Sequence, residues 1–179
     1  RIDKARDYVV DNLQYALNPS SIAVVGASRY PSKVGNKVVA ELLEWGYTGK
    51  IYPVNPRADK VLGLKSYHTL KDIHDRVDLV FVAVPAHLVT AIVEDAIEIK
   101  AKVLVIATSA FKEIGREDLQ NKITLRLREN KIPLIGPNLV GMGSPYNHFN
   151  CGFIPYLPVP GPIDMMSQSR ANLLAALGT

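Results

Sequence analysis

The stretch from Ser21 to Tyr47, Ser-Ile-Ala-Val-Val-Gly-Ala-Ser-Arg-Tyr-Pro-Ser-Lys-Val-Gly-Asn and onward, constrains the fold most, because it reads as strand, loop and helix in immediate succession. Ile22 to Val25 is a short, nearly continuous apolar run, which suits a strand buried on both faces of a parallel sheet. Gly26 ends it. From Asn36 onward Val38, Val39, Leu42 and Leu43 recur at helical spacing, and Gly46 stands where a helix end commonly needs positive φ. The loop between them therefore feeds a helix N-terminus, whose unpaired amides and partial positive charge suit a phosphate. Gly26, Ser28, Arg29, Lys33, Val34 and Gly35 are the candidate cofactor-binding residues of this loop. Its spacing departs from Gly-x-Gly-x-x-Gly, since Ala27 and Ser28 follow Gly26 and the next glycine is Gly35; a plain NAD site is weakened accordingly.

The remaining chain alternates strands with helices. Ile2, Ala5, Tyr8, Val9, Leu13 and Leu17 predict an amphipathic helix over residues 1–17, ended by Asn18-Pro19 and expected to cover a sheet edge. Ile51-Tyr52-Pro53-Val54-Asn55-Pro56 predicts a second strand, with its prolines confined to positions outside the hydrogen-bonded ladder. In a doubly wound sheet, ligands lie beyond the carboxyl ends of strands, so Asn55, Pro56 and Arg57 should emerge beside Ser28 and Arg29. Without further support, that segment is equally a rigid turn carrying an exposed arginine. Gly63 to Tyr67 reads as an excursion before a Thr69-capped helix at Leu70–Ile73. Leu79 to Val84 predicts a buried strand stopped by Pro85, followed by a helix from Leu88 to about Ile99. Val103–Ala107, a charged helix over Asp118–Asn130, and Ile132–Ile135 continue the alternation. The expected fold class is α/β: a Rossmann-like, doubly wound, mostly parallel sheet with helices on both faces.

Composition bounds the function. A chain of 179 residues, 47% hydrophobic, can bury one substantial core. Its 21 basic and 17 acidic side chains leave a net charge of +4, which reads as a solvated surface and gives nucleic-acid binding little support. No apolar run approaches the roughly 18 residues of a membrane span, and one cysteine fits a reducing compartment, so a soluble, cytoplasmic protein is expected. Starting at Arg1, the chain reads as a processed product or a piece of a longer one. Histidine and cysteine spacing for metal binding is absent. Cys151 reads as a packing residue in preference to a nucleophile, and His87, behind Pro85, as a surface or capping residue.

The Ser- and Lys-containing loop after Gly26 resembles the CoA-binding domain of nucleoside-diphosphate-forming acyl-CoA synthetases and of the succinyl-CoA synthetase α subunit. Leu17 to Val24 matches the family phrase Leu-Asn-Pro-x-Ser-Ile-Ala-Val; Val54-Asn55-Pro56, Val84-Pro85-Ala86 and Gly136-Pro137-Asn138 match further family phrases. The resemblance implies that Asn55, Pro56 and Arg57 flank the adenosine end of CoA, with Arg57 or Lys60 on a ribose phosphate. It implies that Val84, Pro85 and Ala86 pack and hydrogen-bond the ligand, and that Ser109 and Asn138 belong to the site. Departures occur at Ala110, where the family loop has glycine, at Leu139-Val140, where Cys-Leu or Cys-Met is common, and at Arg170, where Ser-Gln-Ser is usually followed by glycine.

The implied organisation is a CoA-binding domain over 1–145 with its covering helix at 1–18, a connector over 146–162, and the opening strand and helix of a second domain over 163–179. The family's phosphohistidine and ATP-grasp machinery would have to come from other domains or subunits, since His68, His74, His87 and His148 stand in no matching motif. The expected ligand is coenzyme A, with no metal in this chain, no nucleic-acid or membrane partner, a possible homo-oligomer, and no ligation by the isolated chain. The alternative is a stand-alone sensing or assembly module for NAD or CoA on the same fold.

Overall fold

The computed structural model describes residues 2–108, 117–139, 141–152, 154 and 158–177. In chain order, α1 (Ile2–Leu17) precedes β1 (Ser21–Val25), α2 (Val34–Glu44) and β2 (Lys50–Val54). A hairpin of β3 (Lys60–Val61) and β4 (Leu64–Lys65) and a 3-10 turn at Leu70–Asp72 lead to β5 (Leu79–Val82). Then come α3 (Ala86–Glu98), β6 (Val103–Ile106), α4 (Glu117–Glu129), β7 (Leu134–Ile135), β8 (Gly141–Ser144), β9 (Phe149–Gly152) and α5 (Arg170–Leu177).

The expected α/β architecture is present: the main sheet has five parallel strands in the order β2-β1-β5-β6-β7. The chain moves outward from β1 to β2, then returns to the other side of β1 at β5, so strand order reverses between β1 and β5. Beyond the carboxyl ends of these two strands lies the crevice where open sheets of this kind bind ligands. Pro53 is accommodated because β2 is the sheet edge, where a missing amide breaks no interior ladder.

Strand periodicity divides the core. Ala23, Val25, Val80, Val82, Leu104 and Ile106 face one side, where they meet Val89, Val93 and Ala96 of α3 and Ile123 and Leu127 of α4. Ile22, Val24, Leu79, Phe81, Val103 and Val105 face the other, against Ala16 of α1 and Val38, Val39 and Leu42 of α2. This is why the strands read as continuous apolar runs: both faces are covered. Each fully buried Val, Leu, Ile or Phe among them contributes about 1.5–3 kcal/mol of hydrophobic stabilisation.

Four local expectations are corrected. α3 begins at Ala86, immediately after Pro85, so Ala86 is a helical residue and only Val84-Pro85 form the turn. α1 packs beside β6, an interior strand, through Ala16, and not along an edge. The connector expected from residue 146 begins inside an antiparallel β8–β9 hairpin, whose Phe149 and Cys151 are fully buried against the α2 face. The strand expected near Ile163 does not form; Ile163 and Met166 are 86% and 99% exposed, and no described strand lies alongside to satisfy its backbone.

Candidate functional site

β1 ends at Gly26, whose amide continues the ladder to the Val54 carbonyl at 3.0 Å and whose φ of +89° turns the chain out of the sheet. A Cβ at Gly26 would collide with the Ala83 carbonyl just past β5. The first turn of α2 then passes directly over this peptide, and a Cβ at Gly35 would overlap the Gly26 carbonyl and stand 2.8 Å from the Ala27 nitrogen. Gly26 thus supplies both a turn that side chains rarely adopt and a close approach to the Ala83 backbone, and Gly35 supplies close approach to Gly26.

Between them the loop is held from both sides. The Asn55 Nδ2 donates to the Ala27 carbonyl at 2.5 Å, while the Asn55 Oδ1 accepts from the Arg57 amide at 2.8 Å. The Asn36 Nδ2 donates to the Ser28 carbonyl at 2.7 Å, and the Ser28 Oγ accepts from the Tyr30 amide at 3.1 Å. Lys33 is the N-cap of α2 in an extended conformation and makes no side-chain cap, so the Val34 and Gly35 amides open the helix without a capping oxygen. Pro85 caps α3 in the same uncapped fashion, and its helix starts from the same end of the sheet. Arg29, Lys33 and Arg57 are exposed and join no ion pair among the described residues.

The neighbouring strand ends are laced together. The Thr108 Oγ1 donates to the Val84 carbonyl at 2.6 Å, and the Asn138 amide donates to the Thr108 carbonyl at 3.1 Å. Asn138 adopts a φ of +62°, which asparagine tolerates better than most residues. Gly26, Ser28, Arg29, Lys33, Val34, Gly35, Asn55, Pro56, Arg57, Val84, Pro85, Ala86 and Asn138 therefore all follow strand ends or open the helices at one edge of the sheet. Ser109, and Ala110 with the rest of 109–116, lie outside the described residues.

Asn36, absent from the residues singled out by sequence, is 4% exposed and sits on the α2 face that also carries buried Val39. That position was its signal: a polar side chain on an apolar helix face needs a partner. A cavity of about 400 Å³ beside the exit of β2 is lined by Asp59, Lys65, Ser66, Tyr67, His68 and Asp72. Another, of about 410 Å³, lies at the opposite end of the sheet among Ser20, Lys50 and Asn147.

The remaining titratable chemistry lies away from this edge. Burial, and then the nearby Glu41 carboxylate, push the Cys151 thiol well above its ordinary range, which makes it an inert packing group and not a nucleophile. Among the described residues no group of three or more His, Cys, Asp or Glu side chains is arranged to hold a metal ion, and no helix is long and apolar enough to cross a membrane.

Comparisons with known proteins identify the family. A family described as a CoA-binding domain matches residues 20–144. An ADP-forming acetate–CoA ligase of Methanocaldococcus jannaschii is 36% identical over 172 residues, covering 96% of this chain and 24% of the relative. The α subunit of ADP-forming acetate–CoA ligase I of Pyrococcus furiosus is 34% identical, covering 93% of this chain and 37% of the relative. A solved structure of Ca. Korarchaeum cryptofilum dinucleotide-forming acetyl-coenzyme A synthetase 1, in complex with phosphate and ADP, superposes with a TM-score of 0.80 at 37% identity, covering 93% of this chain and 36% of that one. The chain thus spans between about a quarter and somewhat over a third of the length of these relatives. With its match from residue 20 to residue 144 and its sheet of the same fold, the chain belongs to the CoA-binding domain family found in ADP-forming acyl-CoA synthetases.

Proposed function

We propose that this chain binds coenzyme A at the carboxyl edge of its sheet and serves as the CoA-binding part of an ADP-forming acyl-CoA synthetase. The observation that carries the reading is the loop from Gly26 to Gly35: a backbone crossing too close for side chains, opening onto an uncapped helix flanked by unpaired cations. Loop and helix amides take the pyrophosphate, and Ser28, Arg29 and Lys33 add hydrogen bonds, charge-assisted from the two cations. Asn55, Pro56 and Arg57 on one side and Val84, Pro85 and Ala86 on the other border the adenosine. Arg57 or Lys60 meets the 3′-phosphate, and Asn138 belongs to the same site.

On this reading the chain binds and orients the thiol substrate but does not ligate. ATP-grasp and phosphohistidine domains or subunits supply nucleotide chemistry and phosphate relay, and the acyl group arrives at their shared surface. A cytoplasmic location belongs to the same reading, since a lone buried thiol suits a reducing compartment. Competition between CoA and NADH for the purified chain tests the ligand class. Displacement of CoA by excess NADH at comparable affinity would shift the assignment to a nucleotide-sensing module; retention of CoA supports the synthetase role.

A further inference from the structure

The loop carbonyls are not left to chance. Peptides 27–28 and 28–29 are both trans, and in a trans peptide the C=O and N–H point in opposite directions. The Ala27 carbonyl is held by Asn55 from the end of β2, and the Ser28 carbonyl by Asn36 from the first turn of α2. Each fixed carbonyl therefore fixes the amide behind it: Ser28 N–H points away from Asn55, and Arg29 N–H points away from Asn36. Neither amide is hydrogen-bonded to an acceptor among the described residues. Asn36 is 4% exposed, so its amide group is a buried donor committed to this one carbonyl. Both ends of Asn55 are engaged within the chain, one on Ala27 and one on Arg57, so its side chain braces the loop.

We propose that Asn36 and Asn55 are positioning residues that lock two successive peptides of the loop so that the Ser28 and Arg29 amides stay free and face the anionic group of the ligand. The two braces divide the work by residue: Asn55 sets the Ser28 amide and Asn36 the Arg29 amide. Pre-set amides bind an anion without first breaking internal hydrogen bonds or ordering the loop, and that preorganisation appears as affinity. Asn36 touches no part of the bound molecule in this arrangement. The inference rests on the CoA-binding reading for the identity of the ligand, but the anion seat itself requires only a phosphate.

The test follows backbone amide resonances of the whole chain by ¹⁵N NMR during titration with CoA and, separately, with inorganic pyrophosphate. Variants are Asn36→Asp and Asn36→Leu, and Asn55→Asp and Asn55→Leu. Asn55→Asp keeps the acceptor for the Arg57 amide and loses only the donor to Ala27; Leu removes hydrogen bonding without adding charge, and keeps the comparison alive if an aspartate disturbs folding or repels the anion. In the wild type, both ligands should shift the Ser28 and Arg29 amides downfield. Asn36 variants should lose the Arg29 shift first, Asn55 variants the Ser28 shift, with about tenfold weaker binding in each. A general loss of stability would not produce that crossed pattern. Pyrophosphate shifts without CoA shifts would support the braces and remove CoA as the ligand. Wild-type affinity and shifts in the Leu variants, or no amide shift with either ligand, would overturn the proposal.

Discussion

Gly35, in the first turn of α2, lies against Gly26 at the end of β1 so closely that a methyl group on Gly35 would occupy the space of the Gly26 carbonyl oxygen. The obstacle is backbone and not a side chain that can swing aside. Gly35→Ala should therefore push the helix away from the loop, at a cost of about 1–3 kcal/mol of stability and most of the affinity for CoA. Gly46→Ala is the control: its φ is +76° but no atom lies within 4 Å of the added methyl, so it should cost about 1 kcal/mol and leave binding alone. Thermal melts and CoA titrations of both variants distinguish the two; equal effects on binding would contradict the crossing.

Arg29 and Lys33 should matter for binding and not for folding. Neither joins an ion pair among the described residues, so replacing both by alanine removes charge without orphaning a partner. Stability should stay within about 0.5 kcal/mol of the wild type. CoA affinity should fall, and the slope of its salt dependence should flatten as charged contacts are lost. Unchanged affinity at low salt would remove both residues from the site.

Glu41 gives the fold a pH dependence. It lies on α2, and its Oε2 is buried without a hydrogen-bond partner. Burial first, and then the Glu44 charge, raise its carboxyl to about 7, against a smaller opposing effect of Lys37. The buried Cys151 thiol of β9 also feels the Glu41 charge. Below the ordinary carboxyl range, both folded and unfolded chains carry the proton and Glu41 costs nothing. As pH rises from there to about 7, the unfolded chain ionises while the folded chain resists, so stability falls, and above about 7 the loss is complete. Glu41→Gln should stabilise the protein at pH 8 more than at pH 5 in urea denaturation. A gain that does not depend on pH would contradict the assignment.

The fold was legible where burial is two-sided. Runs such as Ile22–Val25 and Leu79–Val82 have no polar residue to alternate with because helices cover both faces, as in a parallel sheet. The β8–β9 hairpin was not legible, since Gly-Met-Gly-Ser carries one large apolar side chain and Phe-Asn-Cys-Gly alternates over only four residues; the pairing is fixed by packing Phe149 and Cys151 onto α2. The Ile163 segment failed in the opposite sense, having apolar residues but no neighbouring strand among those described. At the candidate site, glycine spacing marked the loop. The bracing was only half legible: Asn36 stood out as a polar residue on an apolar helix face, but the carbonyls that it and Asn55 hold leave no periodic trace.

Calorimetric titration of the purified chain with CoA and with 3′-dephospho-CoA, at matched salt, tests the proposed function most directly. Saturable one-site binding of CoA, weakened when the 3′-phosphate is removed, is the expected result and would assign the edge beyond β1 and β5 to CoA. Absence of CoA binding by a folded chain, at concentrations where NADH binds, would contradict it.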